Sequence, residues 1–115
     1  MPDDCLFCRI AAGEVPAKIV LENEQAVAFE DVNPQAPTHI LLVPRKHIAT
    51  LNELQPEDEA VVGRLLTMAR DIALARGHAA AGYRTVFNCN ADAGQTVFHL
   101  HLHMLGGRKL SWPPG

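Results

Sequence analysis

The most regular pattern in this chain is a strict alternation of polar and apolar residues near its C-terminus. Histidines occupy every second position and apolar residues stand between them: His99, Leu100, His101, Leu102, His103 and Met104. A period of two is the period of a β-strand, so a strand over residues 96–105 would place all three imidazoles on one face. Polar side chains on a half-buried strand need hydrogen-bond partners, and their presence there indicates a chemical function. The pattern therefore predicts a reactive surface backed by a core.

The pattern of apolar and polar residues in the rest of the chain predicts six further elements. They are a short helix over 5–12, strands over 17–21, 26–29, 38–43 and 83–88, and a long helix over 56–76. The long helix has a core stripe that includes Leu65, Met68 and Ile72, acidic residues in its first turn, and Gly77 after its end. Strands and helices do not alternate regularly, so we expect an antiparallel α+β domain rather than a parallel sheet.

Length and composition favour one domain over residues 1–115. Hydrophobic residues make up 48% of the chain, enough for a core, and a domain this small gains stability from self-association. The net charge is −3 and the ten basic residues form no stripe, which argues against nucleic acid as a partner.

No part of the sequence predicts export or membrane insertion. The acidic start Met1–Asp4 does not resemble a signal peptide, and no apolar run approaches the roughly 20 residues of a membrane helix. We therefore expect a soluble, cytoplasmic protein. Its three cysteines, Cys5, Cys8 and Cys89, are expected to be thiols.

The histidine row has two chemical interpretations. A neutral imidazole is a nucleophile near pH 7 and needs no cofactor. Alternatively, the pair Cys5 and Cys8 has metal-ligand spacing, and with His47 and His99 it would complete a Cys₂His₂ zinc site. Two small buried cysteines packed beneath the strands would explain the same spacing without metal.

The histidine row resembles the motif of the histidine triad (HIT) nucleotide-binding family, specifically its Hint branch. The similarity covers nearly the whole chain. It is carried by residues 31–39, 43–48, 88, 94–95, 99–105 and 106–108, and by the ending Trp112-Pro113-Pro114-Gly115. That ending separates the Hint branch from the branch whose members cleave dinucleoside polyphosphates.

This resemblance implies a fold and an activity. The fold would be a five-stranded antiparallel sheet with one long and one short helix, dimerising into a continuous ten-stranded sheet. The activity would be hydrolysis of the P–N bond of purine nucleoside 5′-phosphoramidates, releasing AMP or GMP. His101 would attack the α-phosphorus and form a nucleotidyl-histidine intermediate, flanked by His99 and His103 and oriented by His47.

The resemblance also implies the nucleotide contacts. Asp31 would bind the ribose hydroxyls, and Trp112 would reach the partner subunit's site. The phosphate would be held by Asn88, Gly94, Gln95 and Thr96, and the base by Leu6, Phe7, Ile10 and Val32. Gly94 has a direct rationale, because a missing side chain lets the backbone approach a phosphate. Thr96 and Ala93 stand where the branch commonly has serine and glycine, which bears on leaving-group preference and loop stiffness.

Other interpretations remain open. His39 and His78 are expected to have ordinary structural roles, at a loop-to-strand boundary and facing solvent after a helix. For function, the alternatives are a purine nucleotide-binding regulatory module, or a dinucleoside polyphosphate hydrolase or nucleotidyl transferase. A pure binding module has little need for a nucleophile, which favours the enzyme.

Overall fold

The computed structural model describes residues 4–115, so the expectation for Met1–Asp3 lies outside the described part of the chain. Five antiparallel strands form one sheet in the order β1-β2-β3-β5-β4. The strands are β1 Ile19–Glu22, β2 Ala26–Glu30, β3 Thr38–Pro44, β4 Tyr83–Phe87 and β5 Leu102–Gly106. The helices are α1 Leu6–Ala11 and α2 Glu59–Ala75, with single 3-10 turns at Leu51–Glu53, Pro56–Asp58 and Ala91–Ala93. The predicted α+β sheet with one short and one long helix is thus confirmed.

Each face of the sheet has its own hydrophobic core. On one face, Leu65, Met68 and Ile72 of α2 pack against Ile40 and Met104. On the other face, α1 packs against alternate residues of β2 and β3, with Phe7, Ile10, Val27, Phe29, Leu41 and Val43 buried together. Because strand side chains alternate between faces, β2 and β3 contribute to both cores. The second core is the one that positions the histidines.

The predicted strand over residues 96–105 is only partly formed. Strand β5 starts at Leu102, because its ladders with β3 and β4 both end there, at Leu42 and at Phe87. Before that point the chain is extended but pairs elsewhere: the Leu100 N–H donates to the Ile48 carbonyl at 2.6 Å. Only His103 of the three histidines therefore lies in the strand, and His99 and His101 lie in the segment that leads into it.

The long helix starts later than predicted. Pro56–Asp58 form a 3-10 turn, and the α-helix proper follows from Glu59. The Asp58 carboxylate is almost fully buried, accepts a hydrogen bond from the Gln55 N–H, and contacts Lys46 Nζ at 2.6 Å. This ion pair fastens the segment that carries His47 to the start of α2.

His78 does not face solvent freely, contrary to the expectation from sequence. Its Nε2 lies 2.8 Å from Thr38 Oγ1, and its ring covers the end of β5. A Cβ on Gly106 would come within 3.0 Å of the His78 ring, and one on Gly107, at φ +94°, within 2.9 Å of Pro37. The two glycines therefore let the end of β5 pack against its neighbours.

No helix within residues 4–115 combines the length and the apolar character needed to cross a membrane.

Candidate active site

His101 is held in one tautomer by the backbone. Its Nδ1 lies 2.7 Å from the carbonyl oxygen of His99. A carbonyl can only accept a hydrogen bond, so Nδ1 carries the proton and Nε2 retains its lone pair. Burial lowers the pKa of His101, with smaller opposing effects from the His99 carbonyl and Asp31, which keeps the ring neutral at pH 7. The arrangement leaves a nucleophilic nitrogen on a residue that lines the main cleft.

His103 is part of a hydrogen-bonded chain that the sequence analysis missed. The backbone N–H of Gln35 donates to His39 Nδ1 at 3.0 Å, so neutral His39 carries its proton on Nε2. That Nε2 lies 2.9 Å from His103 Nδ1 and 3.4 Å from an Asp31 oxygen. His103 must then accept at Nδ1 and carry its own proton on Nε2. The chain thus makes His103 a hydrogen-bond donor beside His101, with ring centroids 5.0 Å apart.

Burial keeps this chain neutral. It lowers the pKa of His103 to about 4, with further lowering by His101 and His39. It also lowers the pKa of His39, partly opposed by the Asp31 carboxylate. The sequence analysis gave His39 an ordinary role, but the structure shows it buried on β3 and bonded to His103. Register explains the contact: Leu41 pairs with His103, so His39 is the diagonal neighbour on the same face of the sheet.

The main cleft has a volume of about 1040 Å³ and is mostly apolar. Of the residues implied as nucleotide contacts, it is lined by Leu6, Phe7, Ile10, Asp31, Val32 and Thr96, together with His101 and His103. Phe29, Leu41 and Val97 extend the apolar wall and were not among the expected contacts. Asp31 lies at the end of β2, with one carboxylate oxygen accepting from the Asn33 N–H at 2.8 Å.

Four expected nucleotide contacts do not line this cleft. Asn88 and Gly94 lie in the segment after β4, where Gly94 has φ +85°. Trp112 is 81% exposed in the C-terminal tail. The side chain of Gln95 is buried and binds only backbone, accepting from the Asn90 N–H and donating to the Ala49 and Val97 carbonyls. Gln95 therefore braces this loop and has no free amide group for a phosphate.

The ring of His99 faces away from the cleft. It is fully buried, and its Nε2 donates to the Pro44 carbonyl at 2.7 Å. Its Nδ1 lies 3.3 Å from Cys5 Sγ, 3.4 Å from Cys8 Sγ and 3.2 Å from His47 Nδ1. The structure therefore places the backbone carbonyl of His99 beside the nucleophile, while both nitrogens of its imidazole are engaged elsewhere.

His47 is likewise placed beside the cysteines, and its expected hydrogen bond to His101 is not found. His47 Nδ1 lies 3.3 Å from Cys8 Sγ, and one ligand atom from each of Cys5, Cys8, His47 and His99 lies within 4.8 Å of the other three. We call these four residues the Cys₂His₂ cluster. His47 lies there because β3 ends at Pro44 and the chain then turns toward α1.

The Cys₂His₂ cluster fits a tetrahedral zinc ion. Ligand bonds of about 2.0 to 2.3 Å place tetrahedral nitrogen and sulfur ligands roughly 3.3 to 3.8 Å apart. Four of the separations in the cluster are 3.2 to 3.4 Å, near the short end of that range. The Nε2 of His99 donates to a carbonyl, so its Nδ1 offers a lone pair to the cluster, the usual arrangement for a ligating histidine. A shallow cleft lined by Asp4, Leu6 and Phe98 connects the cluster to the surface.

Without a cation the cluster favours uncharged groups. Burial lowers the pKa of His99 to about 4, and burial followed by the neighbouring Cys5 raises the pKa of Cys8 to about 11. A divalent cation would reverse the preference of Cys8, because it stabilises the thiolate.

Comparisons with known proteins agree with the fold and the histidine row. The sequence profile of the HIT domain matches residues 12–110. A purine nucleoside phosphoramidase of Escherichia coli (strain K12) is 44% identical over 96% of this chain and 92% of its own. An uncharacterized HIT-like protein of Synechocystis sp. is 50% identical over the full length of both chains.

Solved structures give the same result. A HIT family hydrolase from Legionella pneumophila Philadelphia 1 superposes with a TM-score of 0.95 at 51% identity, covering 97% of this chain and all of that one. A histidine triad protein from Clostridium difficile superposes with a TM-score of 0.93 at 41% identity over 96% of both chains. This chain belongs to the HIT domain family and is a hydrolase of the Hint type.

Proposed function

We propose that this hydrolase cleaves the P–N bond of purine nucleoside 5′-phosphoramidates through a covalent intermediate on His101. The observation that carries the proposal is the 2.7 Å hydrogen bond from His101 Nδ1 to the His99 carbonyl, which leaves Nε2 as a neutral nucleophile. The name of the Escherichia coli relative, purine nucleoside phosphoramidase, supports the same chemistry.

The proposed reaction has two steps. His101 Nε2 attacks the α-phosphorus, the P–N bond breaks, and the departing amine takes up a proton. Water then attacks the phosphorus of the nucleotidyl-histidine, the bond to Nε2 breaks, and the nucleoside monophosphate leaves. Each step passes through a phosphorus centre with extra negative charge, which fixed hydrogen-bond donors stabilise.

The chain of Gln35, His39 and His103 supplies such a donor. Because it fixes the proton of His103 on Nε2, that group is placed to donate a hydrogen bond to a phosphate oxygen. The proton that the departing amine takes up comes from solvent water, because a neutral imidazole that gave up its proton would become an imidazolate. His103 acts as this donor in its neutral form, which agrees with its lowered pKa.

The nucleotide would occupy the main cleft. Aromatic and aliphatic side chains along its wall suit the flat face of a purine, and Asp31 at its rim can accept hydrogen bonds from the two ribose hydroxyls. Thr96, which shares the cleft with His101, offers a hydroxyl to the phosphate.

We also propose that the Cys₂His₂ cluster binds one structural zinc ion. Cys5, Cys8, His47 and His99 would hold it, and the ion would contribute a fixed local geometry without taking part in bond cleavage. Protein purified without chelators should contain about one zinc per chain. Metal-free, fully folded protein under those conditions would rule the site out.

The decisive test measures AMP release from an adenosine 5′-phosphoramidate with a good amine leaving group. Wild-type protein should release AMP, and His101→Ala should lose release while retaining AMP binding by calorimetry. Tight AMP binding without release by the wild type would instead favour a nucleotide-binding regulatory module. Faster cleavage of a dinucleoside polyphosphate than of the phosphoramidate would favour the alternative leaving group.

A further inference from the structure

We propose that the Cys₂His₂ cluster is the positioning site for the nucleophile, and that the imidazole of His99 acts in it as a metal ligand with no acid–base role. The proposal rests on His101 being the nucleophile of the proposed function. It assigns His99 two separate tasks, one for its ring and one for its backbone carbonyl.

The ring of His99 has no route to a substrate. It is fully buried, its Nε2 is bound to the Pro44 carbonyl, and its Nδ1 points at the two sulfur atoms. The backbone of the same residue faces the other way, since its carbonyl accepts the Nδ1 proton of His101 at 2.7 Å. Fixing the ring at both nitrogens therefore fixes the carbonyl that selects the tautomer of the nucleophile.

Helix α1 provides a second link between the cluster and the cleft. Cys5 is its N-cap residue and Cys8 lies in its first turn, so two of the four proposed ligands bracket Phe7. The Phe7 ring meets the His101 ring edge to face, with centroids 5.1 Å apart and planes at 86°. Phe7 also lines the cleft, together with Leu6 and Ile10 of the same helix.

This helix needs an external anchor. It has six residues, and isolated helices shorter than about 12 residues are marginal in water. Its apolar side is packed on the sheet, but its N-terminal end is held to the rest of the chain by sulfur–nitrogen contacts of 3.3 to 3.4 Å. Thiols are weak hydrogen-bonding groups, whereas bonds to a metal would fix the same atoms firmly.

Metal occupancy should therefore affect both the nucleophile and the purine-facing wall. Loss of the metal leaves the ring of His99 held at Nε2 alone and releases the two cysteines at the start of α1. We expect weaker AMP binding as well as slower turnover, because the wall formed by α1 and the orientation of His101 depend on the same four atoms.

The test compares His99→Cys with His99→Ala, since cysteine can replace histidine as a zinc ligand but cannot perform imidazole chemistry. Zinc content, AMP affinity, kcat and KM are measured for both. His99→Ala should bind little zinc and lose on the order of 100-fold in kcat, the effect of a misplaced reacting group. His99→Cys should bind one zinc and recover most of that loss. A zinc-loaded His99→Cys protein as slow as His99→Ala would overturn the proposal.

A measurement on the wild type covers the case in which His99→Cys fails to bind zinc. The ¹⁵N resonances of His101 report its tautomer, and AMP affinity is measured by calorimetry, before and after zinc removal and after zinc is restored. We expect zinc removal to weaken AMP binding at least about tenfold and to perturb the Nδ1–H signal, with recovery on readdition. Unchanged affinity and an unchanged His101 spectrum would refute the positioning role.

These readouts also separate this proposal from the proposed function. Zinc-dependent AMP binding and a zinc-dependent His101 spectrum without any AMP release would retain the placement of His101 by the cluster and reject the phosphoramidate activity. AMP release that is lost in His101→Ala but unaffected by zinc removal would support the phosphoramidate activity and reject the positioning role of the cluster.

Discussion

The three histidines of the alternating row have three different environments, although their sequence spacing is uniform. His99 is fully buried with its ring in the Cys₂His₂ cluster, His101 borders the cleft with a free Nε2, and His103 is hydrogen-bonded to His39. Each ring is fixed in one tautomer by a backbone group, directly or through one neighbour. At the scale of single residues, hydrogen bonds to the main chain thus determine which ring nitrogen of each histidine carries the proton.

The role of His39 gives the first prediction. His39→Ala should lower kcat on the order of 100-fold, because His103 would lose the partner that fixes its proton on Nε2. His78→Gln is the matched control, since His78 also donates or accepts one hydrogen bond but lies outside the cleft. Steady-state kinetics on the phosphoramidate check both. Equal activity of His39→Ala and wild type would remove His39 from the mechanism.

The buried, neutral state of His103 gives a pH dependence. Its folded pKa of about 4 lies below the unfolded value of about 6.5, so the unfolded chain binds the extra proton between those values. Its contribution to stability is therefore present above pH 6.5 and is lost as the pH falls toward 4, by about 3 kcal/mol.

Urea unfolding of wild type and His103→Gln at a series of pH values from 7 to 4 measures this effect. Both proteins should lose stability on acidification, because burial also lowers the pKa of His39 and of His101. The wild type should lose more, and the difference between the two curves isolates His103. Parallel curves would contradict the prediction.

At the scale of elements, the site is built where regular structure ends. Strand β5 begins only at Leu102, and the preceding extended segment is free to bond to the loop after β3 and to α1. The segment after β4 is also irregular, and the side chain of Gln95 holds it through hydrogen bonds to backbone groups. These irregular segments let neighbouring residues face different partners, which a continuous strand would not allow.

Gln95 should therefore matter for stability more than its loop position indicates. Gln95→Ala removes three hydrogen bonds between a buried side chain and the backbone, and should lower the free energy of unfolding by about 2 to 3 kcal/mol. Gln25→Ala is the control, because Gln25 is exposed in the turn before β2. Urea unfolding measures both. A loss for Gln95→Ala no larger than the control's would mean that the loop is held by other contacts.

At the scale of the whole molecule, strands β1 and β4 are the edges of the sheet. The resemblance to the Hint branch implies a homodimer with a ten-stranded sheet, and an open edge of this kind is suited to such pairing. We expect sedimentation as a dimer at micromolar concentration. A monomer with full activity would contradict this expectation.

The C-terminal tail belongs to the same scale. Trp112 is 81% exposed and does not line its own cleft, while the Ser111 carbonyl accepts a hydrogen bond from Arg84 of β4. If Trp112 reaches the partner subunit's site, deletion of residues 111–115 should change turnover or leaving-group preference. The thermal unfolding midpoint should change little, and unchanged kinetics would refute the role.

The sequence by itself determined the elements, the family and most of the cleft. Helical spacing predicted both helices, a period of two predicted the histidine strand, and β-prone runs bounded by turn residues predicted the other four strands. The histidine motif and the tail carried the family resemblance. All four residues that the resemblance implies as base contacts line the cleft: Leu6, Phe7 and Ile10 in the predicted short helix, and Val32 in the loop after β2.

Only the tertiary structure decided where each ring points and what it bonds to. Periodicity assigned His99 to the reactive face, but β5 begins only at Leu102, and in the irregular segment before it the ring of His99 turns to Cys5, Cys8 and Pro44 instead. His39 lies 64 positions from His103, and strand register alone makes them neighbours. Contacts between distant segments and hydrogen bonds to backbone carbonyls leave no local pattern, which is why the division of tasks among the histidines emerged from the fold.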